Sequence, residues 1–297
     1  MALIDCGFSS LKGTFHRLLM PVVLLLFCIA FIVGCTKTTG DLIRSADDYQ
    51  AKGDFTAAII QLKNALAKDP DNLEGNILLG LSYAETGEAV DAERKLRRAI
   101  ELGAPHARVL PKLGQMLIDT EQYAEAITEL RKAKDLSGES LAEVSLLIGR
   151  AQVELKQFAE ARTQYLLAGT GKPAEAKLGL ARVAVAENDR NAAYKLTEEV
   201  LASAPSNVEA WIAKGDLLRG DSKNEEALKA YQQASTLNPT HVVARISQAV
   251  AYTNLGKYPE ARAELAQAQK RAPANVMLRF TLASLALRER KFEECTD

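Results

Sequence analysis

Histidine, cysteine and aromatic residues are scarce in this chain, and neither sign of charge dominates. Three histidines and four cysteines in 297 residues leave little material for a metal centre, because His and Cys ligands come in local clusters. His16 lies near the start, while His106 and His241 are separated by more than a hundred residues. Aromatics make up 6%, with 18 glycines and 9 prolines. An all-β sandwich needs aromatic and β-branched strands with frequent turns, so that class is disfavoured. Lys and Arg number 37 against 38 Asp and Glu. No basic face follows from such a balance, and displacing phosphate counterions requires one, so no nucleic-acid partner is expected. Glycine-rich phosphate loops after a strand, and the residue pairings of a nucleophilic or acid–base centre, are also missing, so no catalysis and no cofactor are expected. What remains is an Ala- and Leu-rich chain, 47% hydrophobic and 25% charged, with the composition of a helical globular protein.

The one long apolar run is Leu18 to Val33, broken only by Pro21 and preceded by Lys12 and Arg17. A basic segment followed by an apolar stretch too short to span a bilayer comfortably reads as a secretory signal. The stretch ends in Ile32-Val33-Gly34-Cys35, which resembles the bacterial lipobox. That resemblance implies a signal peptide over 1–34, a diacylglyceryl group on the Cys35 thiol and a short polar tether over 35–40. Each buried methylene of such chains contributes about 0.8 kcal/mol, so several acyl chains hold a body on a membrane. Thr36 follows the cysteine instead of Asp, which by the sorting rule of enteric lipoproteins points to the outer membrane, facing the periplasm. Cys6 and Cys28 would leave with the signal and Cys35 would carry lipid, so Cys295 would be the one mature thiol and no internal disulfide could form. The mature charge would be about −2 by the same count, from 35 basic and 37 acidic residues.

From residue 39 onward the sequence repeats every 34 residues. Units start near Thr39, Leu73, Ala107, Ala142, Ala174, Val208, Val242 and Val276. The eighth slot reads Ala46, Gly80, Gly114, Gly149, Ala181, Gly215, Ala249 and Ala283. The twentieth slot is alanine from Ala58 through Ala261, and the twenty-seventh departs from alanine only at Val200. Two antiparallel helices approach closely where a small residue faces the neighbour, and aromatics such as Tyr49, Tyr83, Phe158 and Tyr258 fill the space beside it. Gly53, Gly87 and Gly256 fall between the two helices, where a positive φ is needed. Pro70, Pro205, Pro239 and Pro273 close four units, with Pro105 one residue off register, whereas unit three has no closing proline. The pattern resembles the tetratricopeptide repeat. It implies an all-α fold, a right-handed α-solenoid of helix-turn-helix units over 39–297, with units near 39–72, 73–106, 107–140, 142–173, 174–207, 208–241 and 242–275 and a partial one at 276–297.

In such a solenoid the first helices line a concave groove. The fifth slot is apolar throughout: Ile43, Ile77, Pro111, Leu146, Leu178, Ile212, Ile246 and Phe280. Glu74, Glu143, Glu175 and Glu209 stand beside it, with Arg150, Arg182 and Arg219 deeper in. An apolar strip with charged rims fits a protein or peptide partner; the alternative is that the slot serves only to pack consecutive first helices. Acidic residues elsewhere read as solvated faces with basic partners, such as Glu129 with Lys132.

The segment SADDYQAKGDFTAAIIQLKNALAKDPDN (45–72), directly behind the lipobox, and LEGNILLGLSYAETGEAVDAERKLRRAIEL (73–102) resemble the start of the tetratricopeptide lipoproteins of the PEP-CTERM/exosortase system. Members of that family carry more than eight repeats and accompany exopolysaccharide and protein-sorting genes in Gram-negative bacteria. The resemblance implies a non-catalytic scaffold at the cell envelope. Two alternatives stay open: a tetratricopeptide lipoprotein of polysaccharide export or pilus assembly, and the recognition arm of a larger enzyme. The last unit supplies a first helix near Val276 to Arg288 and little sequence for a second, so its apolar side chains are expected to lack a partner face.

Overall fold

The structure, a computed structural model, describes residues 37–134, 136–272 and 275–289. Cys35, the apolar run before it, and Phe292 and Cys295 lie outside the described residues. Every regular element among the described residues is an α-helix. The chain divides into two compact units at residues 86 and 87.

The first unit holds α1 (Thr39–Ala51), α2 (Phe55–Lys68) and α3 (Leu73–Thr86). Thr38 opens α1 with a capping box: its hydroxyl accepts from the Asp41 amide, and the Asp41 carboxylate accepts from the Thr38 amide. Asp54 caps α2 through the Ala57 amide. Ala46, Ala58, Leu62 and Ala65 are fully buried where α1 and α2 pair. The Gln50 side chain reaches from α1 to α3, donating to the Leu78 carbonyl at 2.8 Å and the Ser82 hydroxyl at 2.6 Å.

The second unit holds α4 (Ala89–Glu101), α5 (His106–Asp119), α6 (Tyr123–Leu130), α7 (Gly138–Glu154), α8 (Phe158–Ala168), α9 (Pro173–Ala186), α10 (Arg190–Ser203), α11 (Val208–Gly220), α12 (Asn224–Leu237), α13 (Val242–Asn254), α14 (Tyr258–Arg271) and α15 (Val276–Arg288). Successive helices pack as antiparallel neighbours, giving the tetratricopeptide α-solenoid that the repeat implied. The small slots form its spine. Ala92, Ala126, Ala161, Ala193, Ala227 and Ala261 are all fully buried. A Cβ added at Gly215 would lie 2.4 Å from the Tyr231 ring, and one at Gly114 would lie 2.5 Å from Leu130. Glycine therefore stands where the facing helix brings a large side chain too close for any other residue.

Turns between consecutive helices take a left-handed residue. Gly53, Gly87 and Gly256 supply it, with φ of 75°, 83° and 71°. The intervening units place Glu121, Lys156, Asn188 and Ser222 in that conformation, with φ between 58° and 65°. The turn geometry is thus a property of the repeat, kept even where the sequence lacks the residue that favours it.

The closing prolines have a structural counterpart that the sequence pattern did not reveal. Two residues after each, an acceptor side chain caps the next first helix. Asn72 accepts from the Gly75 amide at 2.9 Å, Asn207 from Ala210 at 2.8 Å, His241 Nδ1 from Ala244 at 3.2 Å, and Asn275 from Leu278 at 2.9 Å. Four residues after such a cap, a donor returns to the prolyl carbonyl: Asn76 to Pro70 at 3.0 Å, Trp211 Nε1 to Pro205 at 2.8 Å, and Arg245 Nη2 to Pro239 at 2.9 Å. The fourth slot of the unit is therefore a donor slot that three chemically different residues, Asn76, Trp211 and Arg245, fill.

Units without that loop are less regular. Helix α6 has only eight residues, so Ala133 lies beyond its end and is half-buried. Glu129 on α6 corrects one sequence expectation. It bonds Lys132 at 2.8 Å, but it is buried and also accepts from Arg97 of α4 at 3.0 Å. Burial works against the Glu129 charge, yet Lys132 and Arg97 outweigh it and hold the carboxyl below its ordinary pKa. The pairing is an inter-helix tie, not a solvated face.

Candidate functional site

The fifth-slot residues do not form one open strip. Ile77 and Ile246 are each 1% exposed, and Leu178 is also buried. In α13, Ile246 sits in a core cluster with Leu265, Leu278 and Leu285, so packing of one first helix on the next accounts for it. Ile43, Leu146 and Ile212 are half-buried, and Pro111 is buried inside α5. Phe280 stands apart at 74% exposed, joined on α15 by exposed Val276, Met277 and Leu287. Ala283, the small-slot residue of the same helix, is exposed, whereas Ala46, Ala181 and Ala249 in that slot are buried.

Within the second unit, first helices pack directly on their successors at α5/α7, α7/α9, α11/α13 and α13/α15. The backbones of α9 and α11 approach less closely; Leu178 packs with Ala210, and Ala181 and Ala184 with Leu217, while a cavity of about 610 Å³ opens alongside. Two fifth-slot residues, Leu178 and Ile212, line it together with Ala181, Val185, Ala213 and Val243. The rim residues Arg182, Glu209 and Arg219 line it as well. A smaller cavity of about 350 Å³ brings together Pro111 and Glu143 with Arg108, Lys112 and Gln115. The remaining rim residues are dispersed. Glu74 is half-buried at the start of α3, Glu175 is exposed at the start of α9, and Arg150 reaches back to Gln115 at 3.2 Å and Asp119 at 3.3 Å.

Most charges around the larger cavity are paired within the protein. Asp216 accepts from the Tyr231 hydroxyl at 2.7 Å and from Arg219 at 3.4 Å, and Arg219 also donates to that hydroxyl at 3.3 Å. Burial raises the Tyr231 pKa, and the Asp216 charge raises it further. Arg190 donates to the Leu217 carbonyl and pairs with Asp221, which also accepts from Tyr194 at 2.7 Å. His241 Nε2 faces Glu209 at 3.6 Å while its Nδ1 caps α13. His106 Nδ1 accepts from the Lys134 amide at 3.4 Å. Both described histidines thus serve loop and cap geometry. Among the described residues no group of three or more His, Cys, Asp or Glu is arranged to hold a metal ion.

Sequence reasoning missed Tyr165 and Gln152. Tyr165 of α8 is wedged between Gly149 of α7 and Gly179 of α9; a Cβ at Gly179 would lie 2.4 Å from its ring. Its hydroxyl is fully buried without a hydrogen-bond partner. Burial raises its pKa against the opposing charges of Arg182 and Arg150. Gln152 is buried on α7 with neither amide atom bonded. The signal available in the sequence was a polar residue in a slot held by Tyr83, Leu117 and Leu218 in other units.

Comparison with known proteins agrees with the geometry. Three tetratricopeptide-repeat profiles match: one over residues 43–107 and 178–242, a second over 218–278 and a third over 107–139. The DnaJ protein P58IPK homolog B of Oryza sativa is 27% identical over 137 residues, covering 45% of this chain and 29% of that protein. The type IV pilus assembly protein PilF of Pseudomonas aeruginosa is 25% identical over 118 residues, covering 39% of this chain and 47% of that protein. The chain thus spans less than half the length of these curated relatives. A tetratricopeptide repeat protein from Parabacteroides merdae superposes with a TM-score of 0.66 at 16% identity, covering 84% of this chain and 98% of the other.

Proposed function

The chain belongs to the tetratricopeptide-repeat family, and on that premise we propose that it is a non-catalytic scaffold holding a polypeptide partner at the bacterial envelope. The observation that carries the reading is the apolar cavity along α9 and α11, whose wall includes the buried Leu178 and the half-buried Ile212. Its volume of about 610 Å³ accommodates one or two large side chains of an extended segment. The envelope location rests on the lipobox at Ile32 to Cys35, with lipid on Cys35 inserted in the outer membrane from the periplasmic side. The wording of residues 45–102 supports service to an exosortase-linked exopolysaccharide or protein-sorting system. The likeness to PilF favours a second reading within the same class, assembly of a pilus or export complex.

Two measurements test these parts separately. A photo-crosslinking amino acid at Val185, which is exposed and lines the cavity, should capture a polypeptide from envelope fractions, whereas one at exposed Leu166 should not. Equal yields at both positions would refute the groove. Metabolic labelling with a fatty acid should mark the wild type and not Cys35→Ala; equal labelling would refute the anchor.

A further inference from the structure

We propose that the α9–α11 cavity recognises an acidic–apolar segment, in which a large apolar side chain enters between Leu178 and Ile212 and a neighbouring Asp or Glu pairs with Arg182. The inference deepens the scaffold reading and rests on it. Its basis is the charge inventory of the cavity wall. Arg219 is held by Asp216 and Tyr231, Arg190 by Asp221 and the Leu217 carbonyl, and Glu209 faces His241. Arg182 alone among the lining arginines has no carboxylate within ion-pair distance. Arg182 is an exposed residue of α9, one turn from Leu178, and lines the cavity beside the apolar floor.

Arg182 also acts on Tyr165, which is buried behind the cavity wall. The buried Tyr165 hydroxyl bonds no carboxylate, and the Arg182 guanidinium acts on it through its charge and as a hydrogen-bonding group. The corresponding tyrosine four helices on, Tyr231, uses its hydroxyl to bond Asp216, the residue after Gly215. After Gly149 the chain places Arg150 instead, and Arg150 is drawn off toward Gln115 and Asp119. One repeat carries its own carboxylate beside the phenol; the other has none there, and Arg182, which lines the cavity, is the group left for a ligand carboxylate. Arg binds carboxylates through paired N–H donors, so an Asp or Glu side chain matches this end of the cavity better than an amide or a cation.

Fluorescence polarisation of the full chain against fluorescein-labelled nonapeptide libraries tests the assignment. The libraries fix the central residue as Glu, Gln or Lys and the adjacent residue as Leu or Ser. Glu-Leu peptides should bind about tenfold more tightly than Gln-Leu peptides and more tightly still than Lys-Leu or Glu-Ser peptides. Arg182→Ala should erase the Glu-over-Gln preference while keeping Leu over Ser, and Arg182→Glu should turn the preference toward Lys. Circular dichroism should be unchanged, because Arg182 is exposed. Equal binding of Glu and Gln libraries, or a Glu preference that survives Arg182→Ala, would overturn the carboxylate seat and leave the groove standing. Absence of binding by every library would overturn both.

Discussion

Two tyrosines occupy the same position in different repeats, and their surroundings diverge. Tyr231 packs against Gly215 with its hydroxyl fixed by Asp216 and Arg219; Tyr165 packs against Gly149 and Gly179 with its hydroxyl unpartnered. The ring slot is dictated by the repeat, because two helices joined by a tight turn need a large residue on one side and none on the other. The polar environment is not. It depends on whether the residue after the facing glycine is Asp216 or Arg150, a position free to vary because it lies at the edge of the packed spine. In this solenoid the repeat supplies support, and individuality resides one residue away from it.

The comparison can be broken at its strongest point first. Tyr165→Ala and Tyr231→Ala should each cost about 3–5 kcal/mol in urea unfolding, since both rings fill spaces created by glycine. A much smaller loss at either would show that its ring is not a packing element. Removing only the hydroxyl should separate the two. Tyr231→Phe should cost about 2 kcal/mol, the worth of a hydrogen bond to a charged group, whereas Tyr165→Phe should be neutral or stabilising. Similar losses would mean that the Tyr165 hydroxyl is bonded in solution.

Gln152 sharpens the contrast, being a second unpaired group near the Tyr165 end of α7. Gln152→Leu restores the residue type of Leu117 and Leu218 and should raise stability by about 1–2 kcal/mol, read as a higher denaturation midpoint. The turns should show no such asymmetry. Lys156→Gly, in the turn before the Tyr165 helix, and Ser222→Gly, in the turn before the Tyr231 helix, each relieve a positive φ and should stabilise equally, by about 1 kcal/mol.

The smallest effect at neutral pH emerges in alkali. Tyr231 and Tyr194 have raised folded-state pKa values, through burial first and then Asp216 and Asp221 respectively, with Tyr194 pushed up to about 12. A raised pKa favours the protonated folded state, so this stability is fully present below pH 10 and declines as pH climbs from there toward about 12. Melting temperature measured from pH 9 to 12 should fall, and Tyr231→Phe should flatten that fall more than Tyr165→Phe. Arg182 and Arg150 already offset part of the Tyr165 shift. A slope untouched by Tyr231→Phe would assign the alkaline loss elsewhere.

Much of this molecule was legible as a line of text. The 34-residue spacing, the Gly and Ala slots, the turn glycines and the start of the last helix at Val276 all follow from periodicity, because each records a local contact repeated many times. The fifth slot shows where that logic stops. Ile246 and Ile212 occupy equivalent positions, yet one is sealed in a core cluster while the other lines a cavity. Whether an apolar slot becomes core or groove depends on the separation of two first helices, which is set by side chains from several units acting together.

By itself, then, the sequence determined the all-helical class, the helix pairing and the identity of the close-packed residues, since these need only nearest-neighbour geometry. Tertiary structure alone decided that a cavity opens along α9 and α11, that Arg182 is left without a carboxylate while Arg219 and Arg190 have theirs, and that the Tyr165 hydroxyl goes unbonded. The physical reason is that helix separation and charge pairing are sums over many long side chains from non-adjacent segments, and no single periodic signal encodes such a sum.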